Sequence, residues 1–217
     1  MNAPIPINNF DRGKPFYPLV MNYVVQLIGF KEIAIRGAIG AQYLITEDIV
    51  RKVAGGDGIA NVEQEASKIE EVTKNLKKLL GPLELRSEFQ ENHIMVEIDP
   101  IAKELAGNIL YLAPYFLRAA SNLLILAHEI CKDEPYHDQS PLWEFLRHCR
   151  NAAAHGGKFT FLNNEPRRLA QWGKFNIIAE LENTPLFKGE DGVGLLFPGD
   201  PIRLLWDIEQ AFPNMKA

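Results

Sequence analysis

The sequence predicts a mainly α-helical fold: a helical bundle with a small β-hairpin after the second of two long apolar helices. Three observations carry this expectation. Residues 114–132 and 140–155 are long stretches whose apolar residues recur at helical spacing. Residues 61–80 repeat that pattern in a more charged form. Strand-like runs are short, and they fall near residues 83–98 and after a Gly156-Gly157 stop.

Residues 1–15 are rich in Pro and Asn and read as an extended arm. From Phe16 to about Ile45 the pattern is helical, with Leu19, Tyr23, Leu27 and Phe30 as its apolar stripe and Gly29, Gly37 and Gly40 as interruptions. Thr46-Glu47-Asp48 opens another helix, and Gly55-Gly56-Asp57-Gly58 is a loop. The helix of residues 61–80 ends at Gly81-Pro82. Leu83-Glu84-Leu85-Arg86 and His93-Ile94-Met95-Val96-Glu97-Ile98 are placed to pair as a hairpin. The whole chain, residues 1–217, reads as a single domain in which about 46–98 is an accessory insertion. That insertion either holds a partner protein or covers an apolar face, the second being the commoner use of an amphipathic surface helix.

Asp99-Pro100 pairs a capping residue with proline at the first helical position, and helix is expected to about Leu112. Pro114 either kinks that helix or begins the next. In residues 114–132, Leu117, Ala120, Leu124, Ala127 and Cys131 share one side, and apolar residues cover much of the circumference, which predicts a central helix. Ser140-Pro141 repeats the cap-and-proline start. After Gly156-Gly157, Lys158–Leu162 and Phe175–Ala179 are strand-like and are joined by a polar loop, 163–168, so these two runs are expected to form the hairpin. Gly199-Asp200-Pro201 opens a last helix, 201–211, with Leu204, Leu205, Ile208 and Phe212 on its buried side.

Composition narrows the function. The chain has 217 residues, 47% hydrophobic and 24% charged, as in an ordinary globular protein. Its net charge of -5 excludes a global basic field, so any contact with nucleic acid requires a local patch. Two cysteines, Cys131 and Cys149, sit in apolar helical contexts and make no disulfide or zinc framework. No metal-ligand spacing appears among five scattered histidines, and neither cofactor nor metal is expected. The N-terminus lacks the basic-then-apolar pattern of a signal peptide, and no apolar run approaches the length of a membrane span. A cytoplasmic protein with no membrane partner is the expectation.

The chemistry-bearing segment is Phe145-Leu146-Arg147-His148-Cys149-Arg150-Asn151-Ala152-Ala153-Ala154-His155-Gly156-Gly157-Lys158. At 100° per residue, Leu142, Phe145, Leu146, Cys149, Ala152 and Ala153 fall on a core face. Glu144, Arg147, Asn151 and His155 fall opposite, with Arg147, Asn151 and His155 forming an i, i+4, i+8 ladder. Arginine supplies fixed positive charge, and histidine moves a proton near neutral pH, as metal-free phosphodiester chemistry requires. On an ideal helix Arg150 lies about 140° around from His155. Two ways of bringing them together stay open: the last turn unwinds at the glycines, or two copies of the helix meet across a two-fold axis. A purely structural use is the competing reading. In it His155 caps helix carbonyls, and Arg147 and Arg150 pair with Glu144 or a neighbouring acid.

Arg150-Asn151-Ala152-Ala153-Ala154-His155 resembles the Arg-Asn-x-x-x-His signature of the HEPN superfamily (higher eukaryotes and prokaryotes nucleotide-binding). The resemblance extends loosely through Trp172-Gly173 and Phe197-Pro198-Gly199-Asp200, and does not cover 46–98. It implies a HEPN-like helical bundle, a homodimer, and a metal-independent endoribonuclease of toxin–antitoxin or anti-phage defence type, with an antitoxin protein as a further partner. Arg150, Asn151 and His155 would be its catalytic group, leaving a 2′,3′-cyclic phosphate on the RNA. Arg147 would contact phosphate. Lys158, Arg167 and Arg168, with Lys174 nearby, would track RNA phosphates, or be solvated loop charges. Trp172 would stack a base or simply pack. A non-catalytic module that binds nucleotide or protein is the alternative that the same resemblance allows.

Overall fold

The computed structural model describes residues 10–34, 83–86, 88, 93–97, 100 and 112–216. The helix starts and loops expected at 37–82, most of the helix expected at 99–112, and the first nine residues lie outside that set. The chain divides into two compact units, 1–27 with 114–217, and 28–113.

In chain order, α1 covers residues 16–34. Its buried side is Phe16, Val20 and Tyr23, at helical spacing. Of the arm expected at residues 1–15, residues 10–15 are described, and there Phe10 is buried with its ring edge-on to Trp206, 5.4 Å between centroids. Strands β1 (Leu83–Arg86) and β2 (His93–Val96) pair antiparallel as expected, Leu83 opposite Val96.

Helix α2 is Ala113–Cys131. It buries Ala119, Ala120, Leu123, Leu124, Ala127 and Cys131, while Leu126 and Ile130 stay exposed on another side. Helix α3 is Pro141–Ala154, with Ser140 as its cap residue and proline at the first position. It ends as the glycines require. Gly156 and Gly157 have φ of 84° and 78°, a region costly for residues with a Cβ. The Gly157 N–H closes back on the Ala152 carbonyl at 2.8 Å, the six-to-one bond of a Schellman end.

The expectation of a mainly α fold is corrected by the segment after α3. Residues 155–199 contain no α-helix, and the described architecture is mixed, helices with two separate two-stranded antiparallel sheets. Pro166, Pro185 and Pro198, with seven glycines between 156 and 199, explain this, since each breaks a helical hydrogen-bond ladder or weakens it. The hairpin is also relocated. Strands β3 (Ala170–Trp172) and β4 (Phe175–Ile177) pair across a turn at Gly173, whose φ is 55°. Trp172 lies opposite Phe175 in the register and stacks on it at 5.7 Å, a cross-strand pair that favours this register. The run expected to be the first strand, 158–162, makes only an isolated bridge, Lys158 with Pro185. There Phe159 donates to the Thr184 carbonyl and accepts from the Asn183 N–H.

Helix α4 is Asp200–Ala211, and buries Pro201, Leu204, Leu205, Ile208 and Glu209. Phe212, just past its end, packs on Trp143 of α3 at 5.2 Å. Trp143 and Phe145 are fully buried. Phe145 meets Trp172 at 5.7 Å, so the motif helix is fixed on one side by β3 and on the other by α4. Each such ring contributes about 1.5–3 kcal/mol through apolar burial. Among the described residues no helix is long and apolar enough to cross a membrane.

Candidate functional site

The polar residues of α3 separate into two groups. The first lies at the start of the helix. Glu144, expected on the open face, is instead buried at 3% exposure, because the chain of 165–168 returns over it. Its Oε2 accepts from Arg147 Nε at 3.1 Å and Nη2 at 2.9 Å, and its Oε1 faces Arg168 Nη1 at 3.4 Å. Arg147 Nη1 also donates to Glu165 Oε1 at 2.9 Å. Arg147 Nη2 lies 3.0 Å from His148 Nε2. Because guanidinium can only donate, that nitrogen must accept, which fixes His148 as the neutral Nδ1–H tautomer. Burial, then the Arg147 charge, lowers the His148 pKa. Its ring is buried edge-on to Phe161. His148 is therefore a packing and hydrogen-bonding residue.

The second group lies at the end of the helix. Arg150 Nε and Nη2 both donate to Glu129 Oε1 of α2, at 3.1 and 2.5 Å, and Nη1 donates to Asn151 Oδ1 at 3.1 Å. Among the described residues, two of the five guanidinium N–H groups are left without a partner. The other Glu129 oxygen takes Lys132 Nζ at 2.7 Å. The Lys132 and Arg150 bonds hold the Glu129 pKa down to about 2, so the anchor is anionic throughout the neutral range. His155 follows the last helical residue, with its own N–H on the Asn151 carbonyl at 3.0 Å. It is exposed, and among the described residues its ring makes no hydrogen bond or ion pair. The structure thus joins Arg150 to Asn151, and leaves His155 facing solvent about 7.5 Å further along the helix axis, by helical rise.

The remaining expected residues divide the same way. Arg167 and Arg168 lie beside Arg147 along one cavity, whereas Lys158 is exposed at its bridge to Pro185 and does not line it. Arg167 donates through Nε and Nη2 to the Asn163 carbonyl, at 3.0 and 2.8 Å. Lys174 sits over the Phe175 ring. Trp172 is 9% exposed and donates Nε1–H to Asp207 at 2.9 Å, so it packs and offers no face to a base. The cysteines are buried free thiols, and burial raises both pKa values, that of Cys131 to about 11. Among the described residues no group of three His, Cys, Asp or Glu side chains is placed to hold a metal ion.

Glu129, Glu165 and Lys132 were not singled out from sequence for these roles. Glu129 and Lys132 share one helical turn, but nothing in the chain ties Glu129 to an arginine 21 positions away. Comparison with models of protein families, with curated proteins and with solved structures finds no match to this chain.

Proposed function

We propose that the protein is a HEPN-like, metal-independent endoribonuclease that works as a homodimer, with Arg150, Asn151 and His155 as its reacting group. One observation carries the reading. The guanidinium of Arg150 is aimed by Glu129 and Asn151 yet keeps two donors free, while the same helix ends in an exposed, unbonded imidazole. A ribose 2′-oxygen attacks the adjacent phosphorus, and the 5′-oxygen leaves. His155 exchanges the proton that this step requires, as general acid or base near neutral pH. The two remaining Arg150 donors stabilise the charge that develops on the phosphoryl oxygens. Exposed Leu126 and Ile130 flank Glu129 on α2, and their burial against a second copy would place two such helix ends at one cleft. A role in toxin–antitoxin or anti-phage defence, with an antitoxin partner, follows only from the resemblance in the signature.

A second reading is favoured by the Glu129 contact itself. Glu129 consumes two of the Arg150 donors, and the chain is acidic overall at -5, both of which suit a non-catalytic module that binds nucleotide or protein. Incubation of the purified protein with total RNA in EDTA separates the two. Cleavage that leaves 2′,3′-cyclic phosphate ends and disappears in Arg150→Ala supports the enzyme. RNA that stays intact under all conditions supports the binding module.

A further inference from the structure

The cavity at the start of α3 holds about 400 Å³, room for a small ligand. Around it stand Lys132, Arg147, Arg167 and Arg168, with His128 and His137 in the wall. Two carboxylates, Glu144 and Glu165, also line it. Arg147 pairs with both of them, and Lys132 shares Glu129, behind the wall, with Arg150. The surplus sits on the other two arginines. Arg167 meets only a backbone carbonyl, and the 3.4 Å approach of Arg168 to Glu144 is long. Two imidazole nitrogens, His128 Nδ1 and His137 Nε2, are buried in the wall with no hydrogen-bond partner among the described residues. The 3.9 Å from His128 Nδ1 to Glu129 is too long to supply one.

The occupant's charge follows from the walls. The residues that line the cavity set four cations, Lys132, Arg147, Arg167 and Arg168, against two carboxylates, Glu144 and Glu165, a surplus of two positive charges. A phosphodiester carries one negative charge, whereas a phosphomonoester carries close to two near neutral pH.

We propose that this cavity binds a phosphomonoester dianion, the phosphate of a mononucleotide or of an RNA 5′ end. Arg167 and Arg168 hold it. The site is separate from Arg150 and His155, and does not depend on the RNA-cleaving reading. Calorimetric titration of the full chain with inorganic phosphate, adenosine 5′-monophosphate and adenosine tests it. Saturable binding of the first two and none of adenosine is expected. Arg167→Gln and Arg168→Gln, both at exposed positions, should each weaken binding about tenfold, the effect of one charge-assisted hydrogen bond, and Arg203→Gln on α4 should leave it unchanged. His155→Ala should also bind phosphate normally, which keeps this site distinguishable from the cleavage site. With that variant, preference for a 5′-phosphorylated oligoribonucleotide over its 5′-hydroxyl form supports an RNA end as the source of the phosphate. Binding of the mononucleotide without that preference supports a free nucleotide. Absence of saturable binding by phosphate and by the mononucleotide, or binding indifferent to both arginine variants, overturns the proposal.

Discussion

Arg147 and Arg150 lie less than one turn apart on α3, and each is followed by a polar residue, His148 and Asn151, but their surroundings differ. Four donor hydrogens of Arg147 are engaged, by Glu144, Glu165 and His148, under a returning loop. Three of Arg150 are engaged, by Glu129 and Asn151. The histidines diverge further. His148 is buried, neutral and committed as an acceptor, while His155 is exposed and its ring is unbonded among the described residues. The same residue types on one helix thus become structural or reactive according to how many of their hydrogen bonds the fold has already taken.

The sharpest way to break this comparison is to delete the open end. His155→Ala and Arg150→Ala should each lower RNA cleavage by about 10²–10⁴-fold, the range for loss of a proton-transfer or charge-stabilising group. His155→Ala should shift unfolding by no more than about 0.5 kcal/mol, since an exposed, unbonded ring supports nothing. Cleavage is read on labelled RNA and stability by urea unfolding of the same preparations.

The closed end should behave in reverse. Glu144→Ala leaves Arg147 and Arg168 without their shared buried carboxylate, and should destabilise by about 3 kcal/mol, at the lower edge for breaking a buried pair because both arginines are partly exposed. A midpoint in urea that hardly moves would show that the network is ornamental. Glu129→Gln falls between the two. It should leave stability nearly unchanged, since the pair is partly open to solvent, but reduce cleavage less than Arg150→Ala does, by loosening the guanidinium.

The smallest expected effect is one of pH. Burial, and then the Arg150 charge, lowers the His128 pKa from 6.5 in the unfolded chain to about 4. Between those values the unfolded chain binds more protons than the folded one, so stability falls as pH drops from 6.5 towards 4 and is level above. Glu209 opposes this in part. Burial raises its pKa from 4.5 to about 7, so its contribution weakens as pH rises through that interval. His128→Gln should flatten the acid limb of an unfolding-versus-pH curve, and Glu209→Gln should steepen it.

Helix ends were the most legible part of the fold. Ser140-Pro141, Gly156-Gly157 and Gly199-Asp200-Pro201 act through local geometry, and each marks a helix terminus where it was expected. The short strands were less legible. Three residues give almost no periodicity, and the deciding features of the β3–β4 hairpin are the Gly173 turn and the Trp172–Phe175 pair, which compete with the longer apolar run at 158–162. In the candidate site, Arg150, Asn151 and His155 were visible because they share one helix. Glu129 to Arg150 spans 21 positions and Glu144 to Arg168 spans 24, and such pairs exist only once the chain has folded. The wheel placed Glu144 outside because it describes one helix alone, without the loop that later covers it.

The most direct test of an open, reactive helix end replaces, one at a time, His148 of α3 and His155 at its C-terminal cap. Purified His155→Gln and His148→Gln proteins, each shown to be folded, are compared with the parent for cleavage of labelled RNA in EDTA. His155→Gln is expected to be inert, and His148→Gln to cut at the parental rate per folded molecule. Equal cleavage by both variants, loss confined to His148→Gln, or a parent protein that cuts no RNA would contradict the division between a committed and a reactive histidine.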